Sequence, residues 1–235
     1  MTMNGSVLIT GGTRRLGFAM ARKSLDMGYN VILHYRSDRR EAETWLRKHP
    51  EFRPRVTFIQ SELTDHPERL FNAAYSISRK LVGLVNNASI FTPGDISNTA
   101  HYRKTLEINC QVPLKLTIAF WSRIKKGWII NITDAHVRPA SRKWQNYRIS
   151  KRVLQRLTYR LALALSPCIR VNAIAPGAML PARGSDKREF AGLARQIPLQ
   201  RTGDIGSLLK AYEYLVTAEY VTGQTLYVDG GWHLV

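Results

Sequence analysis

The sequence predicts an α/β fold in which a doubly wound parallel sheet has helices on both faces. Short apolar runs alternate with longer amphipathic segments along the whole chain, as expected when parallel strands are joined by crossover helices. No internal repeat, linker or low-complexity tract interrupts this alternation, and a chain of 235 residues can bury one ample core. We therefore expect residues 1–235 to form a single domain.

Seven apolar runs of strand length predict the sheet. Their expected bounds are Ser6–Thr10, Asn30–Tyr35, Val56–Ser61, Leu81–Val85, Ile129–Thr133, Ile169–Ala175 and Gln224–Val228. The segments between them have helical patterns. The first helix follows a glycine-rich turn and ends near Met27, before Gly28; the others are expected at Arg39–His49, Pro67–Arg79, His101–Arg123 with an interruption at Pro113, 144–165, 186–196 and 204–216.

The glycine-rich turn, T-G-G-T-R-R-L-G from Thr10 to Gly17, comes directly after the first strand. Glycines let the backbone approach a pyrophosphate, which then lies at the N-terminus of the following helix. A second strand follows at the distance that a βαβ unit requires. The turn therefore predicts a Rossmann-like dinucleotide site, whose expected cofactor contacts are Gly11, Thr13, Arg14, Arg15 and Leu16.

The residues after the second strand indicate which dinucleotide is bound. NAD sites place an acidic residue there for the ribose hydroxyls, whereas NADP sites offer cations to the extra phosphate. Here residues 34–37 are H-Y-R-S, no carboxylate comes before Asp38, and Arg14 can reach the same region. We predict NADPH as the cofactor, with contacts from Tyr35, Arg36 and Ser37.

The predicted helix at 144–165 contains a tyrosine and a lysine four residues apart. Tyr147 and Lys151 therefore lie one above the other on one helical face. An ammonium group near a phenol favours the phenolate and lowers the pKa of the tyrosine, which makes it a usable proton donor. Asp134, at the end of the preceding strand, is placed to point into the same space. The alternative is an amphipathic helix that exposes both side chains.

The formal net charge of +18 at pH 7 admits a nucleic-acid binder. Lys and Arg are spread through the chain, however, which favours a solvated basic surface that attracts anionic ligands, with no nucleic-acid partner. The two cysteines and the absence of clustered histidines argue against a metal site and suit a reducing cytoplasm. No apolar run reaches the roughly 18 residues of a membrane span, and the N-terminus leads almost directly into a strand, so we expect no signal peptide.

Several short motifs occur in one order along the chain: Thr10-Gly11…Gly17, Asn86-Asn87-Ala88, Asn109, Tyr147-x-x-x-Lys151, Pro176-Gly177 and Asp229-Gly230-Gly231. In this order the chain resembles the short-chain dehydrogenase/reductase family over essentially its full length. The resemblance implies that Tyr147 is the proton donor and that Lys151 lowers its pKa and holds the nicotinamide ribose. It also implies that Asn109 anchors a water that relays protons to Lys151.

The same resemblance implies further cofactor contacts and an assembly. The additional contacts are Leu63, Asn87, Ala88, Ser89, Pro176 and Gly177. Glu62 stands where the family usually has an aspartate near the adenine, and we leave it out of the site. The family also implies a homotetramer built partly on the long helices, including the one that bears Tyr147.

Two departures from the common family pattern indicate a particular branch. Arg15 replaces the central glycine of the turn, and Asp134 stands where the family has its catalytic serine. Both changes resemble the pteridine reductase branch, which includes the bacterial dihydromonapterin reductases. In that branch the aromatic after N-N-A-S, here Phe91, stacks on the pterin opposite the nicotinamide. The implied substrate contacts are Arg15, Ser89, Phe91, Asp134 and Tyr147; the alternatives are core packing for Phe91 and a surface ion pair for Arg15.

These observations predict NADPH-dependent reduction of a dihydropterin, which could be dihydromonapterin, dihydrobiopterin or dihydrofolate. Hydride would pass to C6 and a proton to N5. One alternative is a carbonyl reductase of the 3-oxoacyl or sugar type. Another is a catalytically silent NADP-binding or nucleic-acid-binding protein, although such a protein would not need Asn109, Tyr147 and Lys151 together. We expect residues Met179 to Arg195 to cover the substrate.

Overall fold

A computed structural model describes residues 5–64, 66–135, 142–181 and 186–235. Seven strands form one sheet: β1 Ser6–Ile9, β2 Asn30–Tyr35, β3 Val56–Gln60, β4 Leu81–Asn86, β5 Gly127–Ile132, β6 Ile169–Pro176 and β7 Thr225–Val228. The strand order is β3-β2-β1-β4-β5-β6-β7, and every pairing is parallel. The predicted doubly wound sheet is confirmed, with small shifts at the strand ends.

Within the described ranges, eight α-helices connect or follow the strands. They are α1 Arg15–Asp26, α2 Arg40–Lys48, α3 Pro67–Ile77, α4 Thr99–Leu106, α5 Val112–Trp121, α6 Gln145–Leu165, α7 Lys187–Gly192 and α8 Ile205–Thr217. Short 3₁₀ turns lie at Pro50–Arg55, Arg142–Trp144, Leu193–Gln196 and Trp232–Leu234. The expected substrate-covering segment is described only in part, because residues 182–185 lie outside the described ranges. No helix among the residues described is long and apolar enough to cross a membrane.

The helix predicted at His101–Arg123 differs from expectation at its middle and its start. It begins at Thr99, where the Asn98 side chain accepts a hydrogen bond from the N–H of His101 (3.0 Å). It is not broken at Pro113 but passes through a π-helical turn, Glu107–Gln111, into α5. Proline has no N–H, so the carbonyl four residues before it has no α-helical donor, and a wider turn accommodates the loss.

The sheet has a core on each face. In β1, Val7 and Ile9 pack into the cluster covered by α1, α2 and α8, whereas Leu8 packs into the cluster covered by α3, α5 and α6. A central parallel strand is therefore apolar on both sides, which explains why its sequence reads as a continuous hydrophobic run. The two clusters together fix the helices on both faces of the sheet.

The topology brings the chemical motifs to one edge. The carboxyl ends of parallel strands lie at the same edge, and the strand order reverses between β1 and β4. Open α/β sheets bind ligands in the crevice at this switch point. The turn after β1, the loop after β4 and Asp134 after β5 all lie at this edge.

Candidate active site

A cleft of about 490 Å³ opens at the switch point. It is lined by residues expected to contact the cofactor or substrate, namely Gly11, Thr13, Arg14, Tyr35, Arg36, Ser37, Leu63, Ala88, Ser89 and Phe91. Glu62, which the sequence analysis left out, also lines it, as do His101 and Lys104 of α4, which no motif indicated. The cleft therefore gathers residues from five separate stretches of the chain.

Asn87 holds the glycine turn in place. Its side-chain amide donates to the carbonyls of Thr10 (2.9 Å) and Gly11 (3.0 Å), and its N–H donates to the Thr10 hydroxyl (2.9 Å). Gly11 has a positive φ of 60°, and a Cβ at Gly17 would lie 2.3 Å from the Gly11 carbonyl oxygen. The side-chain NH2 group of Asn87 is thus committed to the protein, where it shapes the turn.

Arg15 takes the conformation of the glycine that it replaces. Its φ is +52°, a region that costs most residues about 1–2 kcal/mol. Its N–H donates to Glu41 Oε2 (3.1 Å), and its guanidinium donates to the carbonyl of Pro181 (2.8 Å). The side chain therefore contacts the segment after β6, and the described residues do not show the alternative of a surface ion pair. Leu16, an expected cofactor contact, packs its side chain against the core.

The residues predicted to bind the extra phosphate of NADPH are exposed at the cleft. Arg14, Arg36 and Ser37 are all accessible to solvent. Asp38 is bound by the guanidinium of Arg40, with Nε 3.1 Å from Oδ1, and this hydrogen bond lowers the pKa of the Asp38 carboxyl to about 2. The carboxylate is therefore already paired. Tyr35 is buried and its hydroxyl donates to Gln60 (3.2 Å), so its side chain lines the cleft but offers it no hydroxyl donor.

His34 links the glycine turn to the end of β3. Its Nδ1 accepts from the N–H of Gly11 (3.2 Å), so Nε2 carries the proton and donates to the carbonyl of Ser61 (3.0 Å). Burial lowers the pKa of His34, which keeps the ring neutral. The sequence placed this residue in the cofactor motif but did not indicate this bridging role.

Tyr147 and Asp134 are in direct contact. The phenol of Tyr147 donates to Asp134 Oδ2 at 2.8 Å. Burial, followed by the charge of Asp134 and this hydrogen bond, raises the pKa of Tyr147 well above its usual value. The lowering implied for Lys151 stays a prediction, whereas the overall pKa of Tyr147 is raised. The reason is that a buried phenolate beside a carboxylate would lose hydration and face a like charge.

Lys151 is buried and lies beneath the tyrosine. Its Nζ donates to the carbonyl of Ile132 (2.8 Å) and lies 5.7 Å from the centre of the Tyr147 ring. Burial lowers the pKa of Lys151 to about 8, and the charge of Asp134 partly opposes that change. The alternative of an amphipathic helix that exposes both side chains is excluded, because Tyr147 is 9% and Lys151 2% exposed.

Asn109 uses its side chain to hold the loop after β4. Its Oδ1 accepts from the N–H of Ile90 (2.8 Å) and the Ser89 hydroxyl (3.1 Å), and its Nδ2 donates to the Ile90 carbonyl (3.1 Å) and the Ser150 hydroxyl (2.9 Å). Its side chain has no remaining donor or acceptor for a water relay. The main-chain carbonyl, which Pro113 deprives of an α-helical donor, is the atom that suits this expected role.

Phe91 lies beside Tyr147 and is 49% exposed, so the alternative of core packing is wrong. Its ring stacks on Trp144, with centroids 4.3 Å apart and an interplanar angle of 9°. It also meets the Tyr147 ring edge to face at 4.6 Å. The sequence analysis missed Trp144, whose only signal was an aromatic three residues before the tyrosine.

Pro176 and Gly177 lie beside Asp134 at the same sheet edge. The carbonyl of Pro176 accepts from the N–H of Ala135 (3.0 Å). A Cβ at Gly177 would lie 2.8 Å from the Cα of Asp229, so the glycine permits close approach of the two loops. Through their backbone atoms, these two residues shape the sheet edge next to the carboxylate of Asp134.

The family described as Enoyl-(Acyl carrier protein) reductase matches residues 11–233. The 3beta-hydroxysteroid dehydrogenase 1 of Eggerthella lenta is 32% identical, over 96% of this chain and 92% of that protein. The Dihydromonapterin reductase of Enterobacter sp. (strain 638) is 31% identical, over 96% of this chain and 95% of that protein. The structure of FolM Alternative dihydrofolate reductase 1 from Brucella suis in complex with NADP superposes with a TM-score of 0.91 at 29% identity, over 100% of this chain and 97% of that one.

Proposed function

Because the chain belongs to the short-chain dehydrogenase/reductase family, we propose that it is an NADPH-dependent oxidoreductase that reduces a dihydropterin to the tetrahydropterin. One observation carries this proposal. Asp134, in place of a serine, accepts a hydrogen bond from the Tyr147 phenol, and the ring of Tyr147 meets the exposed ring of Phe91. A flat heteroaromatic substrate that gains a proton on a ring nitrogen suits this arrangement.

The described residues fit NADPH at the cleft. The 2′-phosphate is offered donors by Arg14, Arg36 and Ser37. The guanidinium of Arg40 offsets the negative charge of Asp38, which would otherwise repel that phosphate. Gly11, Thr13 and Arg14 line the cleft just before α1, whose N-terminus suits a pyrophosphate. NADPH supplies the hydride when it is bound, and the NADP complex of the Brucella suis protein supports its assignment here.

The protein supplies the proton and the stacking face. Phe91 binds one face of the pterin ring, and Tyr147 lies at its edge. With Asp134 ionised, loss of the Tyr147 proton would place two negative charges within hydrogen-bond distance. The pair therefore releases a proton to N5 when Asp134 is itself protonated and can pass its own proton to Tyr147. Lys151 stabilises the negative charge that remains.

One observation favours a second candidate, reduction of a ketone. The relative from Eggerthella lenta carries the name of a steroid dehydrogenase and is about as similar as the pterin enzyme. A ketone requires only a neutral hydroxyl donor beside the tyrosine, however, and a serine would provide it. The carboxylate of Asp134 at that position favours the pterin.

The exposed faces of α5 and α6 support a homotetramer. Ile118 and Trp121 on α5 and Tyr159 and Leu163 on α6 are each about half exposed or more. Apolar surface of this kind is covered when two copies pair. Light scattering should return four subunits at micromolar concentration, and a monomer would refute the assembly.

Cys110 and Cys168 are both free, which suits a reducing cytoplasm.

The experiment that tests the function is NADPH oxidation with a panel of substrates. The panel contains dihydromonapterin, dihydrobiopterin, dihydrofolate, a 3-oxoacyl thioester and a 3-oxosteroid. We expect kcat/KM to be highest for a dihydropterin. Tyr147→Phe is the control, and it should lower turnover roughly 10²–10⁴-fold while it leaves NADPH binding unchanged. A preference for a ketone would transfer the assignment to the second candidate.

A further inference from the structure

The indole of Trp144 covers one face of Phe91. The two rings are nearly parallel, with centroids 4.3 Å apart. Phe91 nevertheless keeps 49% of its surface exposed, so its opposite face is open to solvent. A planar molecule that stacks on Phe91 therefore has one free face to use, and Trp144 lies behind the ring on the other side.

The turn that carries Trp144 is bonded to the loop that carries Phe91. Trp144 is the last residue of the 3₁₀ turn directly before α6. The N–H of Gly94 donates to the carbonyl of Lys143 (2.7 Å), and the N–H of Asn146 donates to the carbonyl of Gly94 (3.2 Å). These two bonds join the segments on either side of the stacked pair, so the rings do not depend on each other alone for their position.

A side-chain network strengthens the same junction. Asn146 donates through Nδ2 to the carbonyl of Asp95 (2.7 Å) and to Nδ1 of His101 (2.9 Å). Because Nδ1 of His101 accepts, its Nε2 carries the proton and donates to the Thr92 hydroxyl (2.8 Å). The loop after β4 is thus bonded to α4 and to the first turn of α6. Tyr147 is the next residue of that turn.

We propose that Trp144 is a positioning residue that selects planar ring substrates. It supports Phe91 from behind and fixes the distance between the free face of Phe91 and the Tyr147 hydroxyl. The inference rests on the proposed function, because it requires a flat substrate between Phe91 and the hydride donor. A substrate without a flat ring gains little from a rigid stacking face, so Trp144 discriminates between pterins and aliphatic ketones.

The test compares Trp144→Ala and Trp144→Phe with wild type in the NADPH oxidation assay. We expect Trp144→Ala to raise the KM for the dihydropterin roughly five- to tenfold, the low end of the scale for direct stacking, with kcat changed less than about threefold. Trp144→Phe retains a ring and should restore most of the affinity. Tyr220→Ala, an aromatic surface variant outside the site, should leave both constants unchanged. A KM for Trp144→Ala equal to or below that of wild type would overturn the inference.

A binding measurement separates this inference from the proposed reaction. Tyr147→Phe protein saturated with NADP⁺ is titrated with a dihydropterin, with and without Trp144→Ala, and the dissociation constants are compared. If wild type reduces no dihydropterin but Trp144→Ala still weakens binding, the proposed reaction is wrong and the role of Trp144 stands. If the two dissociation constants agree, or if no pterin binds at all, the role of Trp144 is refuted.

Discussion

The phenol of Tyr147 donates a 2.8 Å hydrogen bond to Oδ2 of Asp134, and the charge of that carboxylate is one of the reasons the tyrosine holds its proton. A serine at this position would be neutral. Burial would then remain as the main cause that raises the pKa of the phenol. With aspartate, the charge of the carboxylate and its hydrogen bond both raise the pKa of the phenol.

Asp134→Asn should lower the pKa of Tyr147. The substitution removes a negative charge that opposes the phenolate and exchanges a charged acceptor of the phenol proton for a weaker, neutral amide oxygen, so both effects act in the same direction. Ultraviolet absorbance of tyrosinate, followed against pH, measures the change. The double variant Asp134→Asn, Tyr147→Phe identifies the signal by removing it. An unchanged tyrosinate titration would show that burial alone raises the pKa.

Asp134→Ser should reduce dihydropterin turnover without weakening NADPH binding. In the wild type, activity should fall as rising pH removes the proton from the carboxyl, because the pair then has no second proton to supply. This limb of the pH–rate profile should be absent in the serine variant. If the variant matches wild type across the whole pH range, the carboxylate does not take part in the reaction.

Arg36→Asp should weaken NADPH binding by about 2 kcal/mol or more, which is roughly a 30-fold rise in the dissociation constant. The change removes a charged hydrogen bond and adds repulsion toward the 2′-phosphate, whereas NADH binding should change little. Arg47→Asp is the matched control, because Arg47 is an exposed arginine of α2 that does not line the cleft. Fluorescence titration of both cofactors gives the comparison, and equal affinities of wild type for NADPH and NADH would refute the assignment.

The free-energy cost of burying the Lys151 ammonium should decrease as pH rises, so the folded state becomes more stable. Its pKa falls from 10.5 to about 8 on folding, so the unfolded chain binds more protons between these values. The penalty is complete below pH 8 and disappears toward pH 10.5. The advantage of Lys151→Met in unfolding free energy should therefore shrink by about 2–3 kcal/mol over this window, as measured by urea denaturation. If the difference in unfolding free energy between wild type and Lys151→Met did not depend on pH, the pKa of Lys151 would not be lowered by folding.

The two cysteines should differ in reactivity. Cys110 is buried, donates through its thiol to the carbonyl of Ser150 (2.9 Å), and has a pKa raised by burial to about 12. Cys168 is exposed. A thiol-specific reagent should therefore label one cysteine in the native protein and both in denaturant, with Cys168→Ser as the control that removes the rapid reaction. Rapid labelling of Cys110 would contradict the packing of the π-helical turn Glu107–Gln111 against α6.

Much of the sheet and of the lining of the cleft could be predicted from the sequence because their signals are local. Apolar runs report strands, and the turn from Thr10 to Gly17 reports its own backbone geometry through its glycines. The cations after β2 indicate the cofactor phosphate because their position relative to one strand end is enough. Arg15 is a partial exception, since its replacement of a glycine was visible but its contact with Pro181 was not.

Other properties of the site depended on the tertiary structure. The stacking of Trp144 on Phe91 joins residues that are distant in sequence, and no periodicity connects them. The four hydrogen bonds of Asn109 depend on where the loop after β4 meets α6. The direction of the Tyr147 pKa depends on burial and on the distance to Asp134, and both are set only when β5 and α6 pack together. A sequence specifies which groups are present, whereas desolvation and Coulomb energy depend on the distances between them.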